Sequence, residues 1–339
     1  MTVNNVPWFV SQEGVEHDSA VARSVAYLAT QGKSGIANPG DMKVSAMSTP
    51  TGKVRVARGV AAIPSRYTGA NGQSYVGVVD SQTEVTINPT SSTGGRNDLV
   101  VLRIQDTAFE GSQPADVNNF SYCRLEVIQG VPASTNSVTD LGLTYPAIAL
   151  GLIKIPASTS AITSSMISDL RNLANPRTQD VWFPLPTVAS QTEVLTATRE
   201  NGESFINAAN QDIQVPDWAV RMQLRVEWLG VRIAPGNAYG QMWAEWGEGV
   251  GGLNGTQDRA QVSQKYQWDT GALNNIYRTN WIVVDDMYVP AKYRGTTQRF
   301  VQKARRAGGT ANTVSLDGLS GMSVQIRFLE TKDDNLLEG

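Results

Sequence analysis

The sequence is poor in the residues that most enzymes use for nucleophilic and metal chemistry. Its 339 residues include one cysteine, Cys123, and one histidine, His17. A single cysteine excludes an intrachain disulfide and a thiolate metal cluster built from one chain. A Ser-His-Asp or Cys-His mechanism needs an imidazole to accept the proton, and His17 is far along the chain from Cys123. We therefore expect a protein that is not an enzyme, with no catalytic residues, no metal and no cofactor.

Excess charge and long apolar runs are missing as well. The chain has 28 basic and 31 acidic residues, and twelve of the basic and thirteen of the acidic ones precede Arg177. Neither half has the positive charge that non-specific binding to nucleic acid requires. No apolar run approaches the roughly 18 residues of a membrane span, and the start MTVNNVPWFV lacks the basic region of a signal peptide. We expect a soluble protein with no nucleic-acid partner and no membrane insertion.

What the sequence has is the composition of a strand-rich protein. Hydrophobic residues make up 41% and charged residues 17%, and 31 glycines supply turns. The chain is longer than the segment that one hydrophobic core usually stabilises, so we predict two domains. The predicted fold class is mainly β, with two β-sandwich-like domains joined by a short helical connector, the C-terminal one jelly-roll-like. The predicted bounds are 1–161, 162–180 for the connector, and 181–339.

The connector prediction rests on a pattern of helical spacing near the middle of the chain. Thr163 is suited to cap a first turn, and Pro176 stops the helix because it has no N–H to donate. Ile167, Leu170 and Ala174 recur at steps of three and four, which places them on one face. So short a helix needs packing, so we predict that this stripe contacts other copies of the chain, although the neighbouring sheet could cover it instead.

The N-terminal half begins with a second helical pattern, near residues 19–30. Asp18 or the residue after it can cap this helix, Val21, Val25 and Leu28 share a face, and Gly32 is placed as a left-handed stop. About seven strands follow. In one of these strands, Val54 and Val56 alternate with polar or small residues, which is the period of two that a half-buried strand requires.

The C-terminal half is rich in tryptophan, with seven of the eight residues of this type. We expect core packing to claim about five of the seven. Met222, Leu224 and Val226 alternate with polar residues, which predicts a sheet with one buried and one solvated face. About eight strands with glycine and proline turns fit a two-sheet sandwich.

Three segments of the N-terminal half carry a resemblance to a known family. They read GKVRVARGVAAIPSRY, GGRNDLVVLRIQD and ALGLIKIPASTSAITSSMISDLRNLANPR. Over most of residues 13–177 the chain resembles the minor tail proteins of long-tailed phages that infect actinobacteria. In VPDWAVRMQL, YGQMWAEWG and LDGLSGMSVQIRFLE, the C-terminal half resembles, less specifically, the strand-rich modules joined to such proteins.

This resemblance implies a structural component of the virion, in the tail tip or baseplate. It also implies a homotrimer, contacts with other tail-tip proteins, and a module for attachment to the host. These motifs are organisational and do not mark a catalytic site.

Aromatic residues near glycine-rich turns are the candidates for contact with a host-surface glycan. Exposed aromatic rings stack on sugar faces, and glycine lets the backbone approach a ligand closely. Tyr239, Trp243 and Trp246 lie between the segments GNAYG and GEGVGG. We predict that at least one of these three rings faces solvent.

The alternative function is a tail-associated glycan hydrolase, which needs only two carboxylates across a cleft. Glu245, Glu248, Asp269, Asp285 and Asp286 lie in the tryptophan-rich half and are the carboxylates considered for this role. Asp285 and Asp286 are adjacent on a predicted strand and point to opposite faces, so they cannot flank one bond. A non-viral carbohydrate-binding sandwich is a further alternative, and it leaves the resemblance of the N-terminal half unexplained.

Overall fold

The chain folds into two compact units built from antiparallel strands. The computed structural model describes residues 18–186, 192–206, 210–248 and 260–332. The N-terminal unit comprises residues 1–175 and the C-terminal unit residues 176–339. The prediction of a mainly β protein with sandwich-like sheets is confirmed. His17 lies outside the described residues.

The N-terminal unit contains one α-helix and ten strands within its described residues. The helix is α1 (Ser19–Thr30), and the strands are β1 (Gly35–Ile36), β2 (Val44–Ala46), β3 (Lys53–Val56), β4 (Gly59–Pro64), β5 (Ser74–Val79), β6 (Thr83–Thr86), β7 (Arg96–Ile104), β8 (Cys123–Gln129), β9 (Ala147–Ile155) and β10 (Ile167–Asp169). They form three sheets, in the orders β1-β4-β5, β2-β3-β6 and β10-β9-β7-β8.

The core of this unit lies between the sheets, and β7 is buried on both faces. Val54 and Val56 of β3 point into the main cluster, as their alternation predicted, and Val100 of β7 joins them there. Leu99 and Val101, on the other face of β7, pack against a second cluster. A strand covered on both sides needs a nearly continuous apolar run, which explains the sequence LVVL in β7.

The helix α1 is capped at both ends. Asp18 accepts a hydrogen bond from the backbone N–H of Ala20 at 2.7 Å, and Gln31 adopts the left-handed conformation at the other end. The side chain of Leu28 is 75% exposed, and α1 contains no buried residue. The apolar face that the spacing indicated is therefore only lightly packed.

The predicted helical connector is wrong. Residues 164–166 form a single 3-10 turn, and the side chain of Thr163 makes no capping hydrogen bond. Ile167 starts strand β10 and pairs with Ile153 of β9 in antiparallel register. Pairing along β9 supplies backbone hydrogen bonds that a helix at this place would lose, so the sheet overrides the helical spacing.

A buried arginine fixes the chain after β10. Arg171 is 2% exposed, and its guanidinium donates to both carboxylate oxygens of Asp169, at 2.9 and 2.7 Å. It also donates to the carbonyl oxygens of Pro39 and Asp41, at 2.9 and 2.5 Å. These bonds hold the segment extended against the loop before β2.

The predicted oligomer stripe is therefore not an exposed surface. Ala174 is 4% exposed, and its N–H donates to the carbonyl oxygen of Ile36. Leu170 packs against the cluster on the outer side of β7, and Ile167 packs against the main cluster. Ala174 is buried, and Ile167 and Leu170 are partly buried within the N-terminal unit, so these residues do not form an exposed helical face; contact between copies through Ile167, Leu170 and Ala174 stays a prediction.

The C-terminal unit contains twelve strands within its described residues. They are β11 (Thr178–Pro186), β12 (Glu193–Val194), β13 (Glu203–Ser204), β14 (Gln211–Gln214), β15 (Arg221–Ile233), β16 (Ala238–Gly247), β17 (Ala260–Val262), β18 (Tyr266–Asp269), β19 (Tyr277–Tyr288), β20 (Thr297–Gly309), β21 (Val314–Leu316) and β22 (Gly321–Leu329).

These strands form two six-stranded sheets around one core. In the β15 sheet the order is β11-β22-β15-β21-β12, and β19 pairs with β15 on its other side. In the β16 sheet the order is β13-β20-β16-β17, with β14 beside β20 and β18 beside β16. Val226 and Trp228 of β15 pack in the same buried cluster as Trp246 and Phe300 of the β16 sheet.

Candidate functional site

Of the three aromatic residues predicted to contact a glycan, two are buried. Trp246 is 0% exposed and packs edge-to-face against Tyr293 in the core, with ring centroids 5.4 Å apart. Trp243 is also 0% exposed and lies on the opposite face of β16. Stacking on a sugar needs an accessible ring, so the prediction is wrong for Trp243 and Trp246.

Trp243 is buried because a loop covers the outer face of the β16 sheet. Its indole Nε1 donates to Glu245 at 2.6 Å, and Lys303 forms an ion pair with the same carboxylate at 2.9 Å. Lys303 also donates to the carbonyl oxygen of Asn201 at 3.0 Å. A methyl group on Gly202 would lie 2.5 Å from the Trp243 ring, so only glycine fits there. Sequence alternation places Trp243 on the outer face but does not reveal this cover.

Tyr239 is the one predicted contact residue with an accessible ring. Its side chain is 49% exposed and lies over Gly308 on the paired strand β20. A Cβ at Gly308 would lie 2.6 Å from Cζ of Tyr239, so the glycine makes room for the ring on the backbone. The tyrosine is thus supported on the sheet and half open to solvent.

A shallow cleft of about 390 Å³ begins at Tyr239 and runs across three strands. Gln241, Gln267, Asp269 and Arg305 line it with polar groups. Arg305 donates from Nε to Oε1 of Gln241 at 2.9 Å. We call this surface the Tyr239 cleft. An aromatic ring beside convergent amide, carboxylate and guanidinium groups suits a ligand with hydroxyl groups and an apolar face.

The inner wall of the Tyr239 cleft depends on a glycine. Trp268 is 6% exposed and stacks on Trp281, with ring centroids 5.0 Å apart. A Cβ at Gly240 would lie 2.5 Å from Cζ2 of Trp268 and would also collide with the carbonyl oxygen of Arg305. Gly240 therefore permits the close approach of β16, β18 and β20 at this point.

Four of the five carboxylates considered for glycan hydrolysis make separate local contacts. Glu245 is 3% exposed in its pair with Lys303, and Asp269 accepts the N–H of Gly271. Asp285 accepts the N–H of residue 264 at 2.7 Å, and Asp286 pairs with Arg221 at 2.9 Å. The structure does not bring any two of these four carboxylates together across the Tyr239 cleft.

No group of three or more histidine, cysteine, aspartate or glutamate side chains that could hold a metal ion occurs in the described parts of the chain. Within the same ranges, no helix has the length and apolar character needed to span a membrane.

Sequence reasoning missed the tryptophan that is most exposed among the described residues. Trp182 on β11 is 64% exposed, whereas Val181, Phe183 and Leu185 pack against the core. The signal was present, since the run VWFPLP places Val, Phe and Leu on one face of a strand and Trp on the other. Five of the seven tryptophans of this unit are buried, as expected, and Trp182 and Trp218 are the other two.

A polar cluster in the N-terminal unit supports structure. Tyr67 donates to Glu110 at 2.8 Å, and Tyr75 donates to Asp106 at 2.7 Å. Burial, with the nearby carboxylates, raises the pKa of Tyr67 to about 12 and also raises the pKa of Tyr75. Both phenols stay protonated at neutral pH and act as hydrogen-bond donors that tie the loop after β7 to strand β5 and to the turn after β4.

Comparisons with known proteins give no family assignment. No protein-family model matches the sequence, and no curated protein matches it. Among solved structures, the infectious bursal disease virus Gx strain matches at 11% identity, over 88% of this chain and 71% of that chain, with a TM-score of 0.23. The VP2 subviral particle of the same virus matches at 10% identity, over 88% and 68%, with a TM-score of 0.25.

A bacterial protein gives a similar match. The tandem domain CBM22-1–CBM22-2 from Paenibacillus barcinonensis Xyn10C matches at 12% identity, over 87% of this chain and 98% of that chain, with a TM-score of 0.23. TM-scores at this level are too low to support any inference from these proteins.

Proposed function

We propose that the chain is a structural minor tail protein of a phage virion, located in the tail tip or baseplate. The N-terminal unit docks into the tail and the C-terminal unit contacts the host surface. The observation that carries this proposal is the resemblance of the three N-terminal segments to tail proteins. Their places in the fold support it.

The three segments form central parts of the N-terminal unit. Residues 52–67 supply β3 and β4, residues 94–106 supply β7, and residues 149–177 supply most of β9 and all of β10. β3 and β4 are the middle strands of their sheets, and β7 and β9 are the inner strands of theirs. The buried clamp residue Arg171 lies in the last segment. A resemblance concentrated in such strands reflects the frame of a domain more than its surface loops.

The role is non-enzymatic in this proposal, and the partners are copies of the same chain and other tail-tip proteins. Trimer formation now rests on the resemblance alone, because Ile167, Leu170 and Ala174 pack inside the N-terminal unit. Gold-labelled antibodies against residues 18–175 test the location. They should label the tail tips of purified virions, and label confined to the capsid would contradict the proposal.

Contact with a host-surface glycan is assigned to the Tyr239 cleft. Replacing Tyr239 with alanine removes the accessible ring, so adsorption of the phage to its host should weaken by about 1 to 3 kcal/mol in binding free energy. Tyr277→Ala is a matched control, because Tyr277 is a tyrosine at 37% exposure on β19, in the other sheet. Equal adsorption by the wild type and the Tyr239→Ala phage would contradict this assignment.

A further inference from the structure

Trp182 is held in one orientation although most of its side chain faces solvent. Its Nε1 donates to the Oγ of Ser323 on the paired strand β22 at 3.0 Å, while the side chain is 64% exposed. An exposed indole normally has rotamer freedom that a ligand must remove on binding. Because the hydrogen bond to Ser323 limits that freedom in advance, this ring is preorganised for a partner.

The residues beside Trp182 continue across the sheet in a straight row. Trp182 pairs with Gln325, Gln325 lies opposite Arg225 of β15, and Arg225 lies opposite Val284 of β19. Neighbouring strands are about 4.8 Å apart, so the row extends over four strands. A groove of about 430 Å³ follows it between Trp182 and Arg225. We call this surface the Trp182 groove.

The Trp182 groove is electrically balanced. Six charged side chains in and beside the groove form three ion pairs: Arg327 with Asp180 at 2.6 Å, Arg225 with Glu227 at 2.5 Å, and Arg221 with Asp286 at 2.9 Å. A surface with equal numbers of paired charges has no net attraction for a polyanion or a polycation. The absence of net charge favours an uncharged ligand.

The edge of the sheet beside Trp182 is not suited to pairing with another strand. β11 is the edge strand, and it contains Pro184 and Pro186. Proline is tolerated on edge strands because its missing N–H would face away from the sheet. A partner strand added beside β11 would receive no hydrogen bond from the two prolines. Binding is therefore expected on the face of the sheet, in the Trp182 groove, and not along the edge of β11.

We propose that the Trp182 groove binds a neutral oligosaccharide of the extended, β-1,4-linked kind, because the row of outward side chains is straight over four strands. The Trp182 ring stacks on the apolar C–H face of one sugar, and the hydroxyl groups around that face stay free for hydrogen bonds. Gln325 in the row and Gln223 beside it both line the groove, and each offers an amide donor and acceptor to sugar hydroxyl groups. The inference does not depend on the location of the chain in a virion, and its site lies on the opposite sheet from the Tyr239 cleft.

The test is isothermal titration of the purified full chain with three neutral hexasaccharides: N-acetylchitohexaose, cellohexaose and β-1,4-mannohexaose. At least one should bind, and Trp182→Ala should weaken that binding tenfold or more, whereas Trp182→Phe, which keeps a ring, should weaken it less. Leu319→Ala is the matched control at an exposed apolar residue outside the groove, 79% exposed, and it should leave affinity unchanged. Melting curves confirm that each variant is folded.

Four outcomes would overturn the proposal. One is no binding of any of the three neutral hexasaccharides at millimolar concentration. Another is tighter binding of the anionic hexagalacturonate than of all three. The third is a change from oligomer to monomer in Trp182→Ala during sedimentation, which would assign the groove to a second copy of the chain. Loss of binding in Tyr239→Ala with normal binding in Trp182→Ala would also reject it and would leave the Tyr239 cleft as the saccharide site.

Discussion

Arg177 and Glu330 join the beginning and the end of the C-terminal unit. The backbone N–H of Arg177 donates to Oε2 of Glu330 at 2.9 Å, and its Nη2 donates to Oε1 at 2.6 Å. The Glu330 side chain is 3% exposed. Burial alone would raise the pKa of this carboxyl, but the hydrogen bonds from Arg177 and its charge outweigh burial and hold the pKa below the ordinary 4.5.

This pair makes the stability of the unit depend on pH. Because the folded-state pKa of Glu330 is lowered, its contribution is fully present above about pH 4.5 and is lost as the pH falls through the lower folded-state pKa. At pH 7, Glu330→Gln should lower the free energy of unfolding by about 1.5 to 3 kcal/mol, the value of a charge-assisted bond. Urea titrations at pH 7 and pH 3 measure both effects.

The exposed pair of Asp180 and Arg327 supplies the control for Glu330. Its side chains are 63% and 55% exposed, so Asp180→Asn should change stability by less than about 1 kcal/mol. The loss caused by Glu330→Gln should shrink at pH 3, where the wild-type carboxyl is more protonated. A loss of the same size at both pH values would show that Glu330 acts through packing and not through its charge.

Arg171 should be among the least replaceable residues of the N-terminal unit. Arg171→Met removes the guanidinium that donates to Asp169 and to the carbonyl oxygens of Pro39 and Asp41, which should cost about 3 to 5 kcal/mol. Arg171→Lys keeps the charge but not the planar fork, so it should restore only part of this. Thermal melting compares both with Arg55→Met on β3. Equal stability of the Arg171→Met and Arg55→Met variants would contradict the role of Arg171 as a clamp.

Gly240 should tolerate no side chain. Its Cβ would overlap the carbonyl oxygen of Arg305 and approach the Trp268 ring, so Gly240→Ala should cost about 1 to 3 kcal/mol through overpacking. Gly94→Ala is the control, because nothing lies within 4 Å of a Cβ there and the backbone conformation suits any residue. Denaturant titration of the two variants measures the difference, and similar stabilities would mean that the strands of the β16 sheet can separate at no cost.

The two faces of β16 should respond differently to loss of an aromatic ring. Trp246 is fully buried, so Trp246→Ala should lower the free energy of unfolding by about 3 to 5 kcal/mol. Tyr239 is half exposed, and Tyr239→Ala should cost no more than about 1 kcal/mol. Guanidinium titrations followed by circular dichroism compare the two, and a larger loss for Tyr239→Ala would contradict the packing described here.

Local patterns in the sequence predicted the strands better than the connector or the site. The alternation of Met222, Leu224 and Val226 was sufficient, because a half-buried strand imposes the period of two on its own residues. Ile167 and Ala174 have helical spacing, yet strand β9 and the buried guanidinium of Arg171 determine the fold there. The contacts that decide this segment are made with residues distant in sequence, so spacing within it could not reveal them.

The exposure of the aromatic rings could not be predicted from local alternation either. The strand pattern places Trp243 and Trp182 on the outer faces of their sheets. Gly202, about forty residues before Trp243, brings a loop onto its ring, whereas Trp182 stays open in the structure. Which outward ring is covered depends on the path of distant chain segments, and alternation contains no information about that path.

The proposed place of this chain in a phage tail tip can be checked by cryo-electron microscopy of that tail tip. We expect density into which the two units fit separately, in three symmetry-related copies, with the N-terminal unit against other tail proteins and the C-terminal unit outward. A tail tip fully explained by other proteins, with this chain absent from the purified virion, would contradict it.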